Sequence, residues 1–234
     1  MTLYLNELDI DLGRVVHPKH RGTSDDIGYF LHGWLAGVFG PKVLQPFRLM
    51  DGPRGARILG YSTLDATALM ERADQFAQPE ARQGVRALRS KPMPSSWRAG
   101  QRVGFTVRAV PVVRHRPPGH ASKNGIELDV FLKRRRSEAY VTREQAYSEW
   151  VAGQLERRGG VTLDQFTLDQ HRLVRLVRPD HGKGIRKPVP LSEMQATGSF
   201  VVTNETDMNA LLTSGIGRHR AFGFGMLLLR PPPC

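Results

Sequence analysis

The sequence has one cysteine, Cys234, among 234 residues. That excludes an intrachain disulfide and a cysteine-based zinc site, and Cys234 lacks the spacing of a prenylation box. No apolar run approaches the roughly 20 residues of a membrane-spanning helix. The start, MTLYLNELDIDLG, lacks the basic-then-apolar layout of a secretory signal. A soluble, cytoplasmic protein is expected. No histidine pair has metal-ligand spacing on a helix, and no carboxylate cluster suggests a two-metal site. No metal and no cofactor are expected.

Acidic residues are scarce: 22 Asp and Glu stand against 34 Lys and Arg, a net charge of +12. A globular chain this basic suggests a polyanion partner, nucleic acid first and an anionic membrane surface second. No basic amphipathic helix appears, which disfavours the membrane. Arginine outnumbers lysine, and its rigid fork binds phosphate and stacks on bases. Hydrophobic residues make up 40%, enough for a real core in one large domain or two small ones.

The order of elements is readable from periodicity. Leu3 to Ile10 reads as a strand. Ile27, Phe30, Leu31, Trp34, Leu35, Val38 and Phe39 recur at three and four, an amphipathic helix. Ser24, Asp25 and Asp26 offer caps at its start, and Gly40-Pro41 ends it. Pro46 to Met50, the turn Asp51 to Gly55, and Ala56 to Ser62 read as strand, turn, strand. Leu64 to Ala77 reads as a helix and Gln101 to Val110 as an alternating strand. This β-α-β-β-α-β order is a ferredoxin-like unit over residues 1–113. Residues 114–125 are rich in chain breakers and read as a linker.

Residues 126–234 look like a degraded copy of the first unit, so two tandem ferredoxin-like domains are expected. Asp129 to Arg136 reads as a strand entering a basic cluster. Thr142 to Arg158 reads as a helix with a Thr142/Gln145 capping box and an apolar stripe of Tyr147, Trp150, Val151 and Leu155. Val161 to Pro179 is β-like and carries Arg172, Arg175 and Arg178. His181 to Pro188 is a basic turn, and Ala196 to Thr203 is a strand. Asn204 to Gly215 reads as a short helix capped by Asn204, and Phe224 to Pro231 as the last strand.

Three stretches concentrate charge or backbone freedom. Lys133, Arg134, Arg135 and Arg136 form one basic run, and Lys183, Arg186 and Lys187 another. A lone charge run is usually a solvated face; here the runs fall near strand ends in one half of the chain. The third stretch is LLTSGIGRHRAFGFGMLLL, where Gly215, Gly217, Gly223 and Gly225 surround Arg218, His219 and Arg220. Glycine permits positive φ and close backbone approach, and exposed N–H groups beside cations would cradle phosphate. The plain alternative is a flexible turn. Gly-x-Gly does not fit the dinucleotide pattern, because a strand rather than a helix follows.

Of the eight histidines, His32 has the most informative position. At ~100° per residue it lies off the apolar stripe of its helix, and Tyr29 lies about 60° from it. The two share a flank that should face solvent or a ligand. An imidazole near neutrality can move a proton to or from a ribose 2′-OH or a leaving 5′-oxygen, and the phenol can hold ring or phosphate. His17, His20, His115, His120, His171, His181 and His219 lie in loops or strands without comparable placement.

Four stretches resemble the CRISPR repeat-processing endoribonucleases of the CasE type, which serve the type I-E surveillance complex; a type IV relative is the neighbouring possibility. They are the Y-x-x-H of YFLHGWLAGVFG, the strand Ala99 to Arg114, the helix Thr142 to Gly160 with its central tryptophan, and the closing strand-helix-glycine-loop-strand from Ala196. The resemblance implies tandem ferredoxin-like domains with Tyr29 and His32 as catalytic residues. It implies metal-independent cleavage of CRISPR precursor RNA at the base of each repeat hairpin, leaving a 2′,3′-cyclic phosphate and a retained guide RNA. It further implies partner subunits of a surveillance complex. By the same resemblance the glycine loop (Gly215 to Gly225) packs between domains and RNA while basic side chains grip the hairpin, which makes Lys133, Arg134, Arg135, Arg136, Arg175, Lys183, Arg186, Lys187, Gly215, Gly217, Arg218, His219, Arg220 and Gly223 the expected RNA-binding residues. Relatives often carry a proline and a lysine where this chain has Arg218-His219-Arg220, so Arg218 and Lys183 both stand as the cation facing the reacting phosphate. The alternative reading is a guide-RNA-binding subunit without chemistry.

Overall fold

The computed structural model describes residues 2–16, 27–51, 55–115, 126–178, 187–205 and 207–232. The expected caps Ser24, Asp25 and Asp26 lie outside the described residues. So do His17, His20, His120, His181, Lys183, Arg186 and Cys234, the centre of the turn at 52–54, and residues 116–125 of the expected linker.

The first half contains β1 (Tyr4–Ile10), α1 (Leu12–Val15), α2 (Ile27–Phe39), β2 (Phe47–Met50), β3 (Ala56–Ser62), α3 (Ala66–Phe76), α4 (Pro79–Arg82) and β4 (Val85–Pro92). Its antiparallel sheet has the order β2-β3-β1-β4, the arrangement of a βαββαβ unit. Helix α2 buries Leu31, Leu35, Val38 and Phe39 against Leu8, Ile58 and Leu69. Phe30 and Trp34, expected in the buried stripe, are only half-buried. Trp34 sends its Nε1–H to the Ala81 carbonyl at 2.9 Å, which fits an indole with one wet end. Helix α3 is capped by Asp65, whose carboxylate accepts from the Ala68 N–H at 2.9 Å.

The second half contains β5 (Arg102–Ala109), β6 (Val112–His115), β7 (Ile126–Asp129), α5 (Val130–Arg134), α6 (Arg143–Arg158), β8 (Val161–Arg178), β9 (Lys187–Val202), α7 (Met208–Ser214) and β10 (Leu227–Arg230). Its main sheet has the order β10-β5-β9-β8, again a βαββαβ unit, with β5, β8, β9 and β10 as its four strands in chain order. The two units together are a tandem ferredoxin-like fold. The second copy departs from the first in dimensions rather than strand order. Strand β10 has 4 residues, while β8 and β9 have 18 and 16. The hairpin β6-β7 and helix α5 are inserted before α6.

One expected strand changes sheet. Strand β5, assigned from sequence to the first unit, pairs with β9 from Arg102↔Val201 to Ala109↔Met194. Its inward residues Val103, Phe105 and Val107 pack in the core that also holds Tyr147, Val151 and Leu155 of α6. The fourth place in the first sheet belongs to β4, which joins β1 with Arg89 bound to Asp9 at 2.8 Å. The change of sheet falls between Pro92 and Arg102, not at the expected linker, and Arg114 and His115 belong to β6.

Two further expectations are corrected. Asp129 to Arg136 is not a strand: β7 ends at Asp129, whose carboxylate then accepts from the Leu132 N–H at 3.0 Å and starts α5. Asn204 does not cap α7, which begins after Asp207; the Asn204 amide donates to the Asp207 carboxylate at 3.0 Å. The Thr142 cap of α6 is present, with its hydroxyl accepting from the Gln145 N–H at 3.1 Å.

The two units touch through named bonds. The buried Tyr61 hydroxyl on β3 donates to the Leu227 carbonyl on β10 at 2.9 Å, and Arg48 on β2 donates to Thr106 on β5 at 3.2 Å. Burial holds the Tyr61 phenol well above its ordinary range, so it stays protonated as a donor.

Candidate active site

The glycine stretch after α7 turns back onto α2. Gly215, Gly217, Gly223 and Gly225 all have positive φ, between 60° and 87°. Their close neighbours are the chain's own atoms. A Cβ on Gly225 would lie 2.1 Å from the Ile216 carbonyl oxygen, and one on Gly217 would lie 2.7 Å from the Trp150 ring. Glycine is required here because backbone meets backbone and indole. The loop is thus a packed element that bridges α6, β2 and α2.

The loop's cations are tied down. Arg218 donates to Glu127 on β7 at 2.6 Å, and the His219 ring meets the other Glu127 oxygen at 2.9 Å. His219 has the left-handed backbone, φ 60°, and its ring is almost wholly buried. Arg220 donates to the Ser214 carbonyl. Burial and the nearby Arg158 push the Arg220 guanidinium below its ordinary range. These contacts fix the turn Arg220–Phe222 and present Phe222 to α2.

Phe222 gathers the expected catalytic pair. Its ring stacks on Tyr29, with centroids 6.1 Å apart and planes 25° apart. It meets the His32 ring edge-on at 5.5 Å, and the His219 ring lies 6.3 Å away. His32 is half-buried. The recess at its ring is lined by Leu35, Gly40, Lys42, Gln45 and Phe47 among others. The flank predicted from the helical wheel therefore faces the glycine loop.

A cavity of about 320 Å³ lies on one side of this junction, lined by Gly28, Leu31, Asp51, Arg108, Arg172, Arg175 and Phe222 among others. Beneath it Glu193 is fully buried, paired with Arg108 at 2.6 Å and Arg172 at 3.0 Å. Burial would raise the Glu193 pKa, but the two guanidinium groups outweigh it and hold the carboxyl below its ordinary range. Arg108 also lies over the Phe224 ring at 4.7 Å. Sequence reasoning missed Glu193 and Arg108, which the β5–β9 pairing brings together from 85 positions apart.

The remaining expected RNA-binding residues are dispersed. Arg175 is exposed on β8. Lys133, Arg135 and Arg136 are exposed on and after α5, while Arg134 is bound by Glu138 and Glu149. Lys187 begins β9.

The family model described as "CRISPR associated protein" matches residues 3–231. Among solved structures, the CRISPR endoribonuclease Cse3 bound to a 19-nucleotide RNA is 19% identical. The match covers 99% of this chain and 100% of that one, with a TM-score of 0.63. Thermus thermophilus Cse3 bound to an RNA representing a pre-cleavage complex gives 19%, the same coverage and 0.61. Cas6e from Escherichia coli K-12 gives 18% identity, 98% and 99% coverage, and 0.51. No curated protein matches the sequence. With a family model spanning almost its whole length and this fold beneath it, the chain belongs to the CRISPR-associated protein family.

Proposed function

We propose that the chain is a metal-independent endoribonuclease that cleaves CRISPR precursor RNA within the repeat hairpin and keeps the product. The observation that carries this is the meeting of His32 and Tyr29 on Phe222, beside an arginine-lined cavity. RNA supplies its own nucleophile. The ribose 2′-oxygen loses its proton and bonds to the adjacent phosphorus, the P–O5′ bond breaks, and the 5′-oxygen takes up a proton. The products are a 2′,3′-cyclic phosphate and a 5′-hydroxyl, so neither water nor a metal enters the balance. His32 moves one of these two protons, and Tyr29 positions the ribose or phosphate.

The hairpin stem would lie along exposed cations, with Arg175 on β8 and Lys133, Arg135 and Arg136 on and after α5. Lys183, Arg186 and Lys187 belong to the same grip. Arg218 and His219, with Gly215, Gly217 and Gly223, would act by holding the loop against α2, and Arg220 would add a cation at the loop's edge. The solved relatives bound to RNA support this reading, as do matching chains in CRISPR RNA-guided surveillance complexes. Partner subunits of such a complex are proposed on the same basis. Residues 1–113 would carry the catalytic helix and 126–234 most of the RNA grip, with β5 built into the second sheet.

The test is incubation with the repeat RNA from the neighbouring CRISPR array in EDTA, followed by mapping of the product ends. The expected result is one cut at the hairpin base with a cyclic phosphate end. Tight hairpin binding without any cut, in EDTA and again with divalent metal restored, would instead support the non-catalytic guide-RNA subunit.

A further inference from the structure

A second cavity, of about 680 Å³, adjoins the recess at His32. It is walled by the segment after α2, the end of β3, α3, α7 and the glycine loop. Lys42, Arg72 and Arg220 supply three cations, and Ser62 and Thr63 supply hydroxyls. No Asp or Glu is among the described residues lining it. The recess at His32 shares Lys42 and Gln45 with it. Along α2 the order is therefore the arginine-lined cavity at Gly28 and Leu31, then His32, then this basic cavity beyond Gly40.

We propose that this basic cavity binds the phosphodiester backbone of the RNA strand on the far side of the scissile phosphate from the hairpin stem. The inference rests on the endoribonuclease reading above. Its chemistry is that of a single-stranded ribophosphate, held by charge and hydroxyls with no base-reading group required. Arg72 is already oriented: its Nε–H donates to the Phe39 carbonyl at 2.5 Å, leaving its terminal nitrogens out of that bond. Arg220 is fixed by Ser214. Lys42 is exposed and has a left-handed backbone, φ 65°, so its ammonium stands at the shared rim of recess and cavity. Burial of Arg220 beside Arg158 costs free energy that an incoming phosphate would relieve.

The test uses the full chain and hairpin RNAs extending one to five nucleotides past the cleavage site, with a 2′-deoxyribose at that site to block cutting. Extension should tighten binding about tenfold and steepen the slope of log affinity against log salt by ~0.7 per phosphate held. Lys42→Asn, which tolerates positive φ, and Thr63→Glu should each abolish that gain. No gain on extension, or a gain that survives both variants, overturns the proposal. If the shortest hairpin binds and its all-ribose form is cut while extension adds nothing, the subsite alone fails. If no hairpin binds, the endoribonuclease reading fails and takes the subsite with it.

Discussion

Gly28 and Phe222 meet at backbone level: a Cβ on Gly28 would lie 2.3 Å from the Phe222 carbonyl oxygen. The atom it would strike is main chain, so a side chain there must move the helix or the loop. Overpacking of this kind costs about 1–3 kcal/mol. Gly28→Ala should lower the midpoint of thermal unfolding and slow single-turnover cleavage at least tenfold, on the order of the contact it displaces. Wild-type stability and rate in that variant would show that the loop's seat on α2 does not matter.

Phe222 itself should be a positioning residue. Its ring touches both Tyr29 and His32, and aromatic pairs contribute about 0.5–1.5 kcal/mol beyond area. Phe222→Leu should reduce kcat several-fold while KM stays close to wild type, and Phe222→Tyr should restore most of the loss. An equal fall in affinity and rate would point to general unfolding of the loop.

Much of this site was legible because α2 is a regular amphipathic helix. The three-four recurrence from Ile27 to Phe39 put His32 and Tyr29 on one flank, expected to face solvent or a ligand; in the fold Phe222 of the glycine loop packs against it. The Thr142 cap and the Ala56 to Ser62 strand were equally plain, since each rests on local chemistry. Strand β4 was not. VRALRSKP shows little apolar alternation, and its place is set by backbone pairing with β1, from Tyr4↔Pro92 to Ile10↔Val85, which no local pattern announces. Missing it forced β5 into the wrong sheet. The glycines showed that something approaches closely; only the fold shows that it is Trp150 and the chain's own backbone. Glu127, which holds Arg218 and His219, is about ninety positions away in sequence, and nothing local announces that pairing.

Glu193 should control acid stability. Its ordinary pKa is 4.5 and its folded value lies lower. A carboxylate lowered in the folded state contributes stability that is fully present above the unfolded value and is lost as pH falls through the folded one. Denaturant unfolding of the wild type should therefore weaken below about pH 4.5. Glu193→Gln removes the anion between Arg108 and the half-exposed Arg172 and should cost about 1–3 kcal/mol at neutral pH, because solvent screens the cations left behind. The variant should also lose part of the acid-limb slope. An unchanged slope would assign that limb to other carboxylates.

The central claim is that the His32 imidazole acts on a ribose 2′-OH held at the junction of two cationic cavities. The most direct measurement is single-turnover cleavage of repeat hairpin RNA by wild-type and His32→Ala protein, each with all-ribose RNA and with RNA carrying one 2′-deoxy nucleotide at the cut site. The account predicts that His32→Ala lowers the rate by about 100-fold or more while RNA affinity stays within a few-fold. It predicts that the single deoxy substitution blocks the wild type at that site. Undiminished cutting by His32→Ala, or continued cutting at the deoxy position, would contradict it.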